Sequence, residues 1–198
     1  MARRSDHSRE ELKELAIQAG LEIIKIEGFN KFSARKVAAR IGYTVGTLYN
    51  VFGTYDDLIL HINARTLDNW FEAMQEVFQY QQKGDPIQAI GKFYIQYSRE
   101  HYNVWIALFE HNIGEDKPLP EWYIPKLTQF FTLVEKLLLQ VVKNNRKKAK
   151  RAARVLWAGI HGICILSLSK KLDLVDAESA EILAASFVDN YMAGLTRA

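Results

Sequence analysis

Thr44, Val45, Thr47 and Asn50 stand within the segment ARKVAARIGYTVGTLYNVF, from Ala34 to Phe52. A helix-turn-helix at this place puts them on or near an outward face, in reach of base edges in a major groove. Such a motif needs a small residue where its two helices approach, a turn residue four positions later, and apolar residues that pin the second helix to the first. Ala38 meets the first need, Gly42 the second, and Val37, Ile41, Leu48 and Val51 the third. Short helical pairs match part of this pattern by chance, but this one is also basic. No Asp or Glu lies between Glu27 and Asp56, whereas Lys31, Arg35, Lys36 and Arg40 do. Phosphate binding favours that balance, because each neutralised phosphate releases counterions. Free amides at a helix start near Ser33 or Thr44 are further anion sites.

A different chemistry is suggested by the aromatic residues. Of 23 in the chain, 14 lie between Thr66 and Leu133. They read either as an ordinary helical core or as an apolar pocket between helices. In the second reading Trp70, Phe78, Phe93, Trp105, Phe109, Trp122 and Phe130 line the pocket, and Tyr97, His101 or His161 orient the guest. His161, on an otherwise apolar helix, reads more readily as a satisfied core or interface histidine than as a ligand contact. His101, Glu110 and His111 are not spaced as ligand pairs on one helical face, so no metal site is expected. Cys164 reads as a buried small side chain, since one cysteine makes neither an internal disulfide nor a metal cage. No nucleophile, base and stabiliser stand at a workable spacing, so no enzyme and no cofactor are expected.

The elements that must position these residues are all helical. Ser8 and Glu11 form a capping box ahead of a first helix over about Arg9 to Glu27, which Gly28 ends with a left-handed exit. Ser33 and Thr44 cap two short helices. Thr54 with Asp57 starts a long one from Tyr55 to about Gln82, which Lys83, Gly84 and Asp85 end. Further helices are expected from Pro86 to about His101, from Val104 to His111, from Pro125 to about Asn144, from Lys147 to Leu172, and from a cap at Asp176 to about Leu195. A loop with Gly114, Pro118 and Pro120 interrupts them. The reading is all-α, with about nine helices and no strand candidate.

The chain has 198 residues, 48% of them apolar and 25% charged, with a net charge of +3. This is enough for one or two small domains with a core, and it excludes disorder or collagen-like architecture for the whole. The stretch from Val155 to Leu168 reads as too short to span a bilayer, and MARRSDHSREEL is not a secretory signal. A cytoplasmic protein without a membrane partner is expected. A second acid-free stretch, Lys136 to Leu172, carries Lys143, Arg146, Lys147, Lys148, Lys150, Arg151 and Arg154. It reads as a solvated loop and helix start, or as an anion site. The last two helices are apolar on more than one face. Ile160, Ile163, Leu168, Leu183, Phe187 and Tyr191 are the residues expected to pair them with symmetry mates in a four-helix dimer interface.

At this point the sequence resembles the TetR family of one-component transcriptional regulators. The resemblance is carried by Gly28-Phe29, by SARKVAARIGYTVGTLYNVF from Ser33 to Phe52, and by Thr54, Asp57 and Leu58. It covers about the first 60 residues closely; beyond them, LWAGIHG from Leu156 to Gly162 resembles one C-terminal subgroup. The resemblance implies a DNA-binding domain over residues 1–54 and a ligand-binding and dimerisation domain over residues 55–198. Carried over by position, Thr44, Val45, Thr47 and Asn50 face bases, while Ser33, Arg35, Lys36 and Tyr49 bind phosphates. The chain departs from the pattern at Val51, where members often have His or Tyr, and at Tyr55, where they have Lys; the Tyr55 hydroxyl can still donate one hydrogen bond.

The expected function is a DNA-binding transcriptional regulator, a repressor, that holds a palindromic double-stranded operator as a homodimer and leaves it when a small, mainly apolar effector binds. The long helix from Tyr55 is the expected connection between pocket and reading head. The alternative is an architectural or protein-binding, DNA-associated protein of the same fold without an effector.

Overall fold

Ser8 accepts a hydrogen bond from the Glu11 amide at 3.2 Å while the Glu11 carboxylate accepts one from the Ser8 amide at 2.7 Å. The two together start α1 (Arg9–Glu27). In the computed structural model, which describes residues 7–80, 84–111 and 118–197, eight further α-helices follow. They are α2 (Ala34–Ile41), α3 (Val45–Phe52), α4 (Tyr55–Tyr80), α5 (Pro86–Glu100), α6 (Tyr102–Glu110), α7 (Ile124–Val141), α8 (Arg146–Leu168) and α9 (Ala180–Arg197). No strand occurs among the described residues. The expected end of α4 near Gln82 and the loop at Gly114 lie outside them, as does the side chain of Phe78.

The helices fall into two compact units. The first comprises residues up to Asn69 together with His101–Tyr123, and the second comprises Trp70–Glu100 and Ile124 onward. One helix, α4, contributes to both. In the first unit α1 packs on α2, α3 and α6, around a core that includes Ala16, Ile23, Ile24, Val37, Ala38, Leu48, Ile59 and Ile62. A side chain at Gly20 would bring its Cβ within 2.3 Å of Ile62 Cδ1, so glycine sets the approach of α1 to the start of α4.

In the second unit α8 packs against α5, α7 and α9. Asn145, not Lys147, marks its start: the Asn145 side chain accepts from the Lys148 amide at 3.0 Å. Basic residues therefore form the first turns of a helix whose 23 residues are long and apolar enough to cross a membrane by length and composition alone, longer than Val155 to Leu168 suggested. Its Ala149, Ala152, Ala153, Leu156, Ile160 and Cys164 are buried within the unit.

Two expectations for α8 and α9 need correction. Asp176 does not cap α9: it sits at φ +51° in a left-handed turn, and Ser179 accepts from the Ile182 amide instead, at 3.4 Å. Ile160, expected to pair with a symmetry mate in the dimer interface, is only 4% exposed and packs toward Gly91 of α5. Exposed apolar side chains of the two helices include Val155, Leu166 and Ile182. Ile163, Leu168, Leu183, Phe187 and Tyr191 are half-buried. The Phe187 ring fills the space over Gly159, where a Cβ would come within 2.3 Å of it.

Candidate nucleic-acid interface

The turn between α2 and α3 rests on one residue. Gly42 adopts the left-handed conformation, φ 76° and ψ 27°, which a β-carbon disfavours. The chain reverses there, and the Tyr43 amide donates to the Ala38 carbonyl at 2.9 Å. Val37 and Leu48 are both fully buried, with Ile41 and Val51 packed against the same core, so the four pins act as their spacing implied.

Each of the two short helices is started by a hydroxyl. Ser33 Oγ accepts from the Lys36 amide at 3.3 Å, and Thr44 Oγ1 accepts from the Thr47 amide at 3.2 Å while lying 3.0 Å from Thr47 Oγ1. The caps satisfy one amide each and leave the other first-turn amides of α2 and α3 available to an anion. Of the four candidate base-facing residues, Thr44 and Asn50 are exposed, Thr47 is half-buried, and Val45 is half-buried against the core. Arg35, Lys36, Tyr49 and Tyr55 also reach solvent. Partial burial at the start of α4, with Tyr49 and Asp56 nearby, pushes the Tyr55 hydroxyl above its ordinary pKa, so it stays a donor.

Acid-free in sequence is not acid-free in space. Lys36 Nζ donates to Glu27 Oε2 at 2.5 Å and Arg40 donates to Glu22 Oε2 at 2.6 Å, both acids coming from α1. The Lys36 ammonium holds the Glu27 carboxyl below the usual carboxylate range. The sequence reading also passed over three residues that flank α3. The Tyr43 hydroxyl lies 2.8 Å from His7 Nδ1, and Arg9 Nη2 donates to the Val51 carbonyl at 3.1 Å. Tyr43 precedes the cap Thr44, a position that could have flagged it; nothing local ties it to His7.

The expected effector residues divide between the units. His101, Trp105, Phe109 and Trp122 belong to the first, where Trp105 is buried against Phe109 and Trp122 stacks on His61 with centroids 4.2 Å apart. Burial is the main cause that lowers the His61 pKa to about 4. Trp70, Phe93, Tyr97, Phe130 and His161 belong to the second unit and share one aromatic cluster. The Trp70 ring lies 4.9 Å from Phe130, 6.2 Å from Phe93 and 6.0 Å from Tyr94, and Phe93 lies 5.5 Å from Tyr97. His161 Nδ1 meets the Tyr94 hydroxyl at 2.9 Å and its ring stacks on Trp157 at 5.4 Å. Burial lowers the His161 pKa and favours the neutral ring. Trp70 is 7% exposed, and its Nε1 has no hydrogen-bond partner among the described residues. Tyr94 and Trp157 were not among the sequence candidates; they stand with the others only once α5 and α8 are packed.

Two family models match this arrangement. Residues 16–62 match the bacterial regulatory proteins of the tetR family, and residues 87–190 match the tetracyclin repressor-like C-terminal domain. The chain belongs to the TetR family. It is therefore a DNA-binding transcriptional regulator rather than an enzyme. Among TetR-type relatives, an uncharacterized HTH-type transcriptional regulator of Mycobacterium tuberculosis is 21% identical over 167 residues, covering 84% of this chain and 75% of its own. A Rhodococcus sp. RHA1 protein of unknown function shares the fold with a TM-score of 0.73 at 15% identity, over 98% of this chain and 100% of its own. RolR in complex with resorcinol does so with a TM-score of 0.64 at 14% identity, over 96% of this chain and 87% of its own.

Proposed function

We propose that this TetR-family regulator is a repressor: a homodimer whose two α3 helices read the half-sites of a palindromic operator, and which a small, mainly apolar effector releases. One observation carries the reading. The first turn of α3 exposes Thr44 while the apolar side of the same helix, Leu48 and Phe52, is buried, which is the presentation a major groove accepts. In this reading Thr44, Thr47 and Asn50 contact bases, with Val45 at the edge, and Ser33, Arg35, Lys36, Tyr49 and Tyr55 hold phosphates. A regulator of this kind works where the chromosome is, in the cytoplasm.

The effector reading rests on the cluster around Trp70 and Phe130, whose polar groups are a Tyr94–His161 pair, the Tyr97 hydroxyl and an indole N–H with no hydrogen-bond partner among the described residues. Residues with no charge of their own suit an uncharged guest, and the RolR complex is one case of a small aromatic ligand on this fold. The dimer reading rests on the exposed apolar residues Val155, Leu166 and Ile182, with Ile163, Leu183 and Tyr191 beside them. Release requires the effector to bind better to a conformation whose reading heads no longer match the half-site spacing. The element the two units share, α4, is the route for that change.

A fluorescence-anisotropy titration tests the whole. The duplex upstream of the protein's own gene and a scrambled duplex are compared at two salt concentrations. Tighter binding to the native duplex, two protomers per site and a steep loss with salt are expected. Binding that ignores sequence would favour an architectural protein of the same fold, and no binding at low salt would overturn the assignment of α3.

A further inference from the structure

Two rows of side chains run along the second half of α7, each stepping by one helical turn. Leu133, Leu137 and Val141 form an apolar row, and Lys136 and Gln140 form a polar row beside it. The neighbouring helices do not close over the apolar row. With Ile87 of α5 and Met192 of α9 it lines a cleft of about 450 Å³, whose remaining lining is Lys136, Gln140 and the Asp85–Pro86 start of α5. All of these residues belong to the second unit. None of them is part of the Trp70 cluster or of the apolar face read as the dimer contact.

The polar groups of the cleft differ in how far they are already engaged. Asp85 Oδ1 accepts from the Ile87 amide at 2.7 Å and so starts α5. Glu135, the acid next to Lys136 in sequence, is held by Arg154 of α8. Lys136 and Gln140 have no hydrogen-bond or ion-pair partner among the described residues. One turn apart, they are separated by about 6 Å along the helix, so an ammonium and an amide N–H can share one carboxylate.

We infer that this cleft binds a small amphiphilic monocarboxylate, its acid group on Lys136 and Gln140 and its hydrocarbon body over Leu133, Leu137, Ile87 and Met192. The volume lies within the range of about 300 to 1,000 Å³ usual for small-molecule sites, and so does the balance of an apolar floor with a few polar groups. One lysine and one amide suit a single negative charge. Asp85, on the α5 wall, repels a second acid group and thereby orients the guest, acid toward α7 and hydrocarbon toward α5. The inference stands apart from the reading of α3 and from the effector of the Trp70 cluster.

The test titrates the full chain with decanoate below its micelle concentration, and with decanol and decylamine, following the methyl resonances of isotope-labelled methionine. The chain has three methionines, and two report on different places. Met192 lines the cleft, whereas Met74 is fully buried one turn beyond Trp70 on α4. Decanoate is expected to shift Met192, to leave Met74 unmoved and to saturate at one molecule per protomer. Octanoate is expected to bind about tenfold more weakly, for two methylenes fewer on the apolar floor. Both Lys136→Met and the exchange of decanoate for decanol are expected to cost about three- to tenfold, while Lys136→Arg keeps most of the affinity. A shift of Met74 with Met192 unmoved overturns the site, since the guest then enters the aromatic cluster. Equal affinity for decanoate, decanol and decylamine overturns the carboxylate reading, as does unchanged affinity in Lys136→Met. No shift of either methionine at millimolar decanoate overturns the inference as a whole.

Discussion

In the first unit the exposed row of α3 is positioned by near neighbours in sequence: Gly42 turns into it, Thr44 caps it, and Val37 lies beneath it. In the second, Tyr94 meets His161 67 positions along the chain, and Trp70 meets Phe130 through α4 and α7. The first kind of site depends on a few local groups whose loss has no substitute. The second depends on the packing of several helices, and the loss of one ring is shared among many contacts.

That comparison implies an order of sensitivities, and the largest belongs to the pin of α3. Leu48 is fully buried, and Leu48→Ala is expected to cost about 2–5 kcal/mol of stability and to abolish sequence-specific binding. Urea denaturation and a duplex titration measure the two effects. A loss below about 1 kcal/mol would mean that α3 is held by its turn and cap rather than by its core contact.

Next come two residues that the proposed reading places on DNA, Thr47 of α3 and Arg35 of α2. Thr47→Ala is expected to remove about 1–3 kcal/mol of discrimination between operator and random duplex, whereas Arg35→Ala weakens both duplexes about equally and lowers the salt slope. Parallel titrations of both variants decide this. Equal losses on both duplexes for Thr47→Ala would reduce that residue to a partner of the Thr44 cap.

The aromatic cluster supplies the contrasting case. Because Trp70 Nε1 has no partner among the described residues, Trp70→Phe removes no hydrogen bond and keeps an aromatic ring against Phe130. Its cost is expected to stay within about 1.5 kcal/mol. Thermal unfolding followed by circular dichroism checks this; a cost near that of Leu48→Ala would show the second unit to be as intolerant as the first.

The same contrast explains what the sequence made legible. The capping boxes and caps at Ser8, Ser33, Thr44 and Thr54, the turn at Gly42 and the pins at Val37 and Leu48 are all local signals, and each stands where spacing put it. Hidden from that reading were groups whose meaning depends on a distant partner. Ile160 has the apolar character of an interface residue and is buried instead under α5. Tyr94 carries no mark distinguishing it from other aromatics, and Trp157, although it stands in LWAGIHG, is not tied to His161 or Phe131 until the helices pack. The Asp176 cap failed because Ser179, three residues later, competes for the same role with a hydroxyl. Charge is the most instructive case: a run without acids looked wholly available to phosphate, yet α1 brings Glu22 and Glu27 onto Arg40 and Lys36.

Those ion pairs yield the smallest and most specific expectation. A lysine that reaches a phosphate must first leave Glu27, and the carboxylate left behind repels the same phosphate. Glu27→Gln removes both penalties without shortening the side chain. It is expected to tighten binding to operator and random duplexes alike by about two- to fivefold at low salt, and to do progressively less as screening grows. The thermal midpoint is expected to remain where it is, since an exposed pair of this kind contributes little to folding. If Glu27→Gln instead weakens binding, the pair serves to aim Lys36 at its phosphate, and the acid on α1 belongs to the reading surface.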